Sequence, residues 1–301
     1  MCIESIINKK LMKQFCSILL LFLSANLSAQ FTDIINSNRP GQSDTPYAVG
    51  KGIHQFEAGI SFADNNNIVL QSTFETKTLE FLFRTGVLLE RLEVDFRANY
   101  KNEQQRIIKD DAFNSKTIQG LSDVGIGVKF MIYEQKYQDK SQQIRSWKKR
   151  TSFDRRRLIP TVGIYTGLNA NMVSNPFKDE FNHSTFKAAI LLQNNLSSRF
   201  VLLNNLVIDK IAQENEYFKH TISGTFAIST TFSTYIESVG QYSVDAKPFF
   251  DHGFGFAYLI SPDLQVDTSF RSNLAENYDD FLVSVGVAWR LQDRITRWKN
   301  N

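Results

Sequence analysis

Three observations predict an all-β chain closed into an antiparallel transmembrane β-barrel of about 12 strands, of outer-membrane type. The first is the stretch from Arg91 to Tyr100, where Arg91, Glu93, Asp95, Arg97 and Asn99 alternate with Leu92, Val94, Phe96, Ala98 and Tyr100. Strict period two makes a strand with one greasy and one wet face. The second is recurrence: the same alternation returns about twelve times, an even number, as in bacterial single-chain barrels. The third is the connections, which alternate between minimal turns and longer polar loops. Short turns at one end and long loops at the other are the outer-membrane arrangement, with the short turns periplasmic.

The opening 29 residues read as a signal peptide. Lys9, Lys10 and Lys13 precede an apolar core from Ile18 to Leu23, and small residues between Ser24 and Ala29 lead to cleavage before Gln30. Met12 is an alternative start. The apolar run is far short of the roughly 20 residues a spanning helix needs. Both cysteines, Cys2 and Cys16, lie in this segment. No disulfide, thiolate nucleophile or Cys-bound metal is therefore expected downstream.

Residues 30–52 follow as an irregular periplasmic segment, since the Pro and Gly residues from Arg39 to Gly52 forbid a regular element. Strands are expected at about 53–63, 68–86, 90–101, 118–134, 156–168, 184–197, 199–210, 217–229, 231–241, 249–260, 263–273 and 280–291. The barrel thus runs from 53 to 291, and a short basic tail closes the chain at 292–301.

The faces of these strands differ in bulk. In the last, Phe281, Val283, Val285, Val287, Trp289 and Leu291 oppose Ser284, Gly286, Ala288 and Arg290. In the fourth, Val124, Ile126, Val128 and Phe130 oppose Asp123, Gly125, Gly127 and Lys129. The eighth sets Ile222 and Phe226 against Thr221 and Ser223, and the eleventh sets Val266 and Phe270 against Gln265, Asp267 and Ser269. A soluble sandwich could alternate in the same way. The signal peptide, the small Gly-studded face and the even strand count favour bulk outward, toward lipid.

Arg39-Pro40-Gly41-Gln42-Ser43-Asp44-Thr45-Pro46, followed by Gly50, Gly52, Gln55, Glu57 and Gly59, resembles the opening signature of a bacterial family described as "putative MetA-pathway of phenol degradation". The Asp123-Val124 strand with Lys129 resembles a second block of that family. Where the family more often has Thr-Asp-Arg-Pro, this chain has Ser37-Asn38-Arg39-Pro40. The resemblance implies an outer-membrane transporter-like barrel and small, apolar or aromatic cargo.

Chemistry-bearing motifs are sparse. No nucleophile elbow, zincin, P-loop or EF-hand spacing occurs. The expectation is no enzyme, no cofactor and no metal. His54, His220 and His252 fall on strands and His183 in a loop, none with a ligand partner at metal spacing. A lipid hydrolase with a His and Ser two apart on a lipid-facing strand is the enzymatic rival. His220 and Ser223 have the wrong spacing for it, and His183 with Thr185 sits at a loop edge.

The expected site is the lumen, lined by Glu57, Glu80, Arg84, Arg91, Glu93, Asp95 and Arg97. Mixed signs on neighbouring strands allow cross-strand pairs. These either plug a narrow barrel or form a charged constriction that screens small solutes. Arg39, Pro40 and Gly41 are expected to fold against the periplasmic opening, with Arg39 paired to Glu57, Glu93 or Asp95. The run Lys136 to Arg157 holds nine Lys or Arg. It reads as a solvated loop, a contact with anionic headgroups, or a periplasmic partner site. The expected partners are thus outer-membrane lipid and a small-molecule solute. No nucleic acid is expected for an exported chain.

Overall fold

The computed structural model describes residues 34–67, 72–109, 112–136, 153–170, 176–177, 184–244, 247–275 and 278–292. The expected signal peptide, most of the basic tail, residues 137–152 and His183 lie outside the described residues. Twelve strands form one closed antiparallel barrel: β1 Ile53–Asn67, β2 Ser72–Gly86, β3 Leu92–Lys109, β4 Ala112–Tyr133, β5 Thr161–Asn169, β6 Thr185–Asn195, β7 Phe200–Asp209, β8 Tyr217–Ala227, β9 Phe232–Ser243, β10 Phe249–Ser261, β11 Leu264–Ala275 and β12 Tyr278–Gln292. Each strand pairs with its sequence neighbours, and β1 closes on β12 from Ile53↔Gln292 to Asn67↔Tyr278. Closure gives every wall strand two partners, which hydrocarbon requires because it offers none of its own.

The alternation sorts as the sequence indicates. Phe281, Val285 and Trp289 are 53%, 53% and 48% exposed on the outside, while Ser284, Ala288 and Arg290 point in at 5%, 0% and 6%. Among the largest fully buried side chains are Arg84, Lys129, Gln55, Glu57, Glu93 and Glu237. The interior is therefore a charge-paired lumen, and the greasy surface is the one that meets lipid. At the middle of β12, Val285→Arg should cost about 2–4 kcal/mol. Thr225→Arg, facing a lumen cavity, should cost little. Urea unfolding in detergent measures both, and equal losses would contradict this register.

Two stretches differ most from expectation. The segment expected to be a loop at 102–117 continues β3 and β4 as a long hairpin, paired to Lys109↔Ala112. The fifth strand begins at Thr161 and not near 156. Residues Arg155–Leu158 form a 3-10 turn instead, because the Asp154 side chain accepts from the Arg156 N–H and stops the chain from extending.

Candidate functional site: a strap across the lumen

Residues 34–52 run through the barrel lumen, deeper than the expected contact with its opening. Only two to four residues separate β1 from β2, β3 from β4 and β11 from β12, so the expected alternation of minimal turns and longer loops does not hold; the wall strands lengthen at that end instead. We take as periplasmic the opposite end, which carries the connections after β2, β6, β8 and β10. There the strap meets the wall, with Ile35 N–H donating to Pro262 O at 2.8 Å. It leaves through Gly50 and Gly52, whose φ of 89° and 73° suit glycine, and turns into β1.

Arg39 lies in a cradle that four strands build in one register row. Asp267 on β11 pairs with Gly286 on β12, Gly286 with Gly59 on β1, and Gly59 with Glu80 on β2. The guanidinium rests on the two glycines: a Cβ at Gly59 would sit 2.4 Å from Arg39 Cζ, and one at Gly286 2.2 Å from Arg39 Nε. The flanking carboxylates clamp it, Glu80 at 2.5 Å and Asp267 at 3.3 Å. Arg39 was expected beside Glu57, Glu93 or Asp95, so this corrects its partner. Glu57 does bind the strap, through Ser37 Oγ (2.9 Å) and the Asn38 and Arg39 N–H groups (both 3.3 Å).

The far wall holds the middle of the strap. Glu237 on β9 accepts from Gln42 N at 2.9 Å and Ser43 N at 2.9 Å. Tyr235 donates its hydroxyl to Pro40 O at 3.2 Å, and Lys219 donates to Gln42 Oε1 at 2.7 Å. Gly41 packs between Glu237 and Tyr235, where any Cβ would meet Glu237 Oε2 at 2.9 Å. Further on, Asp44 meets Lys129 at 3.1 Å, Thr45 donates to Gln193 at 2.8 Å, and Val49 N–H donates to Glu93 at 2.9 Å.

Beneath the strap sits the hub. Arg84 forks onto Glu93 through Nε (2.8 Å) and Nη2 (3.0 Å), reaches Glu57 at 3.1 Å and donates to Asn36 O at 2.7 Å. Lys129 meets Glu93 from the other side at 3.1 Å. The forked geometry is what guanidinium and carboxylate do best.

Burial alone would raise the Asp44 carboxyl. The Lys129 ammonium outweighs it, aided by Arg84 and Arg97, and holds the carboxyl below its usual range. A depressed folded-state pKa gives stability that is full above the unfolded value and lost as pH falls. The stability gap between wild type and Asp44→Asn should therefore persist at neutral pH and close as pH falls below 3.8. Heat-modification midpoints measured against pH check this; a gap that closed near neutrality would contradict it.

The strap divides the lumen in two. A cavity of about 290 Å³ lies on the extracellular side, lined by Arg97, Tyr165, Lys187, Tyr217 and Lys219. A second of about 210 Å³ lies on the periplasmic side, lined by Gln193, Leu203, Ser223, Thr225 and Tyr235. Asn38, Arg39, Gly41 and Ser43 line both, so the strap is their common wall.

Of the expected lumen residues, the structure brings Glu57, Glu80, Arg84, Glu93, Asp95 and Arg97 inside. Asp95 and Arg97 meet Tyr165, with hydroxyl contacts of 3.3 and 3.0 Å. Arg91 instead sits at the periplasmic rim just before β3, 3.7 Å from Glu134. Sequence reasoning missed the roles of Lys129, Lys219, Tyr235, Glu237 and Asp267, which share the inward parity that marks the first three strands. Ser223 faces inward, whereas His220 bonds Asn204 at 2.9 Å from the alternate parity, so no His–Ser pair forms. Among the described residues no group of three His, Cys, Asp or Glu is placed to hold a metal.

A comparison with a solved structure agrees with this architecture. The COG4313 outer membrane channel from Pseudomonas putida F1 shares the fold, with a TM-score of 0.57 at 10% identity over 84% of this chain and 99% of that one. The translocator domain of autotransporter NalP from Neisseria meningitidis aligns with a TM-score of 0.49 at 8% identity, over 80% of this chain and 89% of that one. The NanC porin gives 0.48 at 13% identity, over 78% and 100%. No curated protein matches the sequence significantly. The opening signature at Arg39–Pro46, which the fold makes into the strap, lies at the head of a family-model match over residues 37–291. On that match the chain belongs to the family described as "Putative MetA-pathway of phenol degradation".

Proposed function

We propose that this chain is an outer-membrane channel for small solutes, passive or facilitated, whose constriction is the strap. The observation that carries the reading is the pair of stacked cavities, about 290 and 210 Å³, with the strap as their shared wall. A plain structural barrel has no use for lumen space on both faces of a partition. A twelve-strand barrel falls between filled eight-strand and open sixteen-strand cases, with room for a small lumen. Charged groups at a constriction screen solutes by size and sign. The cavity volumes lie at or below the ~300 Å³ lower end of ligand pockets, which suits a small molecule. The family's description points to aromatic cargo.

The strap's anchoring on facing walls favours a second reading, a barrel plugged for good. Reconstitution in planar bilayers separates the two. Discrete conductance steps from the purified protein support the channel. A silent membrane containing folded, heat-modifiable barrel supports the plug.

A further inference from the structure

One turn at the periplasmic rim carries apolar and basic side chains that neither the wall nor the strap uses. It is the 3-10 turn Arg155–Leu158, and it is pinned in place. Asn194 Nδ2 donates to Arg157 O at 3.1 Å, Arg157 Nη1 donates to Asn195 O at 2.8 Å, and Gln135 Nε2 donates to Arg156 O. Around it Phe153, Leu158 and Ile159 are 55%, 60% and 51% exposed, as open as the lipid-facing Phe281 and Val285 at 53% each. Lys136, Arg155 and Arg156 are exposed beside them. Among the described residues the neighbouring acids are engaged: Asp154 Oδ1 accepts from Arg156 N–H, and Glu134 faces Arg91.

A water-facing loop gains nothing from three open apolar side chains held in fixed geometry. The boundary between headgroups and acyl chains accepts both halves of such a patch, because apolar stems enter the acyl edge while guanidinium and ammonium groups meet phosphate. Anionic leaflets attract cations held at that depth. The patch also continues the lipid belt, since Ile132 and Tyr133 at the end of β4 are 45% and 44% exposed.

We propose that this turn docks on the anionic phospholipid headgroups of the periplasmic leaflet. Arg155, Arg156 and Lys136 meet the phosphates, and Phe153, Leu158 and Ile159 sit in the acyl boundary. The inference rests on the membrane placement of the barrel and is independent of whether the lumen conducts.

From Gln30 onward the chain has no cysteine, so Leu158→Cys can carry a single bimane label. The labelled barrel is reconstituted in vesicles of phosphatidylglycerol and phosphatidylcholine with brominated acyl chains. Val287→Cys serves as the lipid-facing reference and Glu214→Cys, in the exposed β7–β8 loop, as the aqueous one. Quenching at Leu158→Cys should approach the Val287 reference. It should fall toward the aqueous reference in Arg155→Gln/Arg156→Gln, or when phosphatidylglycerol is omitted. Quenching at the aqueous level throughout would overturn the proposal. Strong quenching that ignores both the arginines and the lipid charge would also overturn it, because insertion would then need no headgroup. A shift at the Val287 reference would reveal misfolding directly.

Discussion

Arg84→Met should destabilise the barrel by about 3–5 kcal/mol, the loss found when one member of a buried ion cluster is removed. The side chain is 1% exposed and holds Glu93 and Glu57, themselves 1% and 0% exposed. Methionine fills the volume and leaves two buried carboxylates in the lumen beside the strap. Lys129 still faces Glu93 at 3.1 Å, but Glu57 then keeps only hydrogen-bond donors. Asn36 O loses its 2.7 Å donor as well, so the start of the strap loosens with the wall. Arg84→Lys should recover only part of the loss, because an ammonium cannot fork onto Glu93. Urea midpoints in detergent measure all three proteins, and a midpoint unchanged in Arg84→Met would contradict the hub.

Glu237→Ala acts on the strap more than on the wall. Arg271 keeps Asp251 at 3.1 Å when Glu237 is gone, so no wall cation is stranded. The Gln42 and Ser43 N–H groups lose their acceptor, and each buried, unmade N–H costs roughly 1–3 kcal/mol. The cavities on either side can admit water to these groups, which turns the loss into release of the strap more than collapse of the barrel. Hydrogen exchange at Gln42 and Ser43 should therefore accelerate well beyond that of β9. Exchange unchanged at those two amides would show that Glu237 does not hold the strap.

Much of the wall was legible in the sequence because lipid and lumen impose opposite demands on alternate residues. The signal fades where those demands stop. Gln104, Gln105 and Arg106 on β3, and Asn114, Ser115 and Lys116 on β4, extend the hairpin with polar residues on both faces. Period two cannot mark a strand that is wet on both sides, so this stretch read as a loop. The lumen was legible only locally. Charged residues of inward parity on the first three strands stand out, and the sequence matches Arg39 to Glu57, Glu93 or Asp95 as the carboxylates within reach of the periplasmic mouth. Its actual cradle exists only once β12 closes on β1 and brings Gly286 beside Gly59. Nothing local in the chain announces that row, although Asp267, Gly286, Gly59 and Glu80 each carry the right parity.

The central claim is that the strap is a constriction and not a mere tether, and the conductance of Arg39→Ala tests it most directly. Arg39 crosses from the strap to Glu80 and Asp267 and contributes nothing to the pairing of the wall strands. Removing it frees the cradle over Gly59 and Gly286 without touching the lipid face. In planar bilayers the variant should insert normally, remain heat-modifiable, and show larger or longer-lived openings than wild type. Unchanged conductance together with a lower heat-modification midpoint would contradict the account and leave the strap as a structural tether.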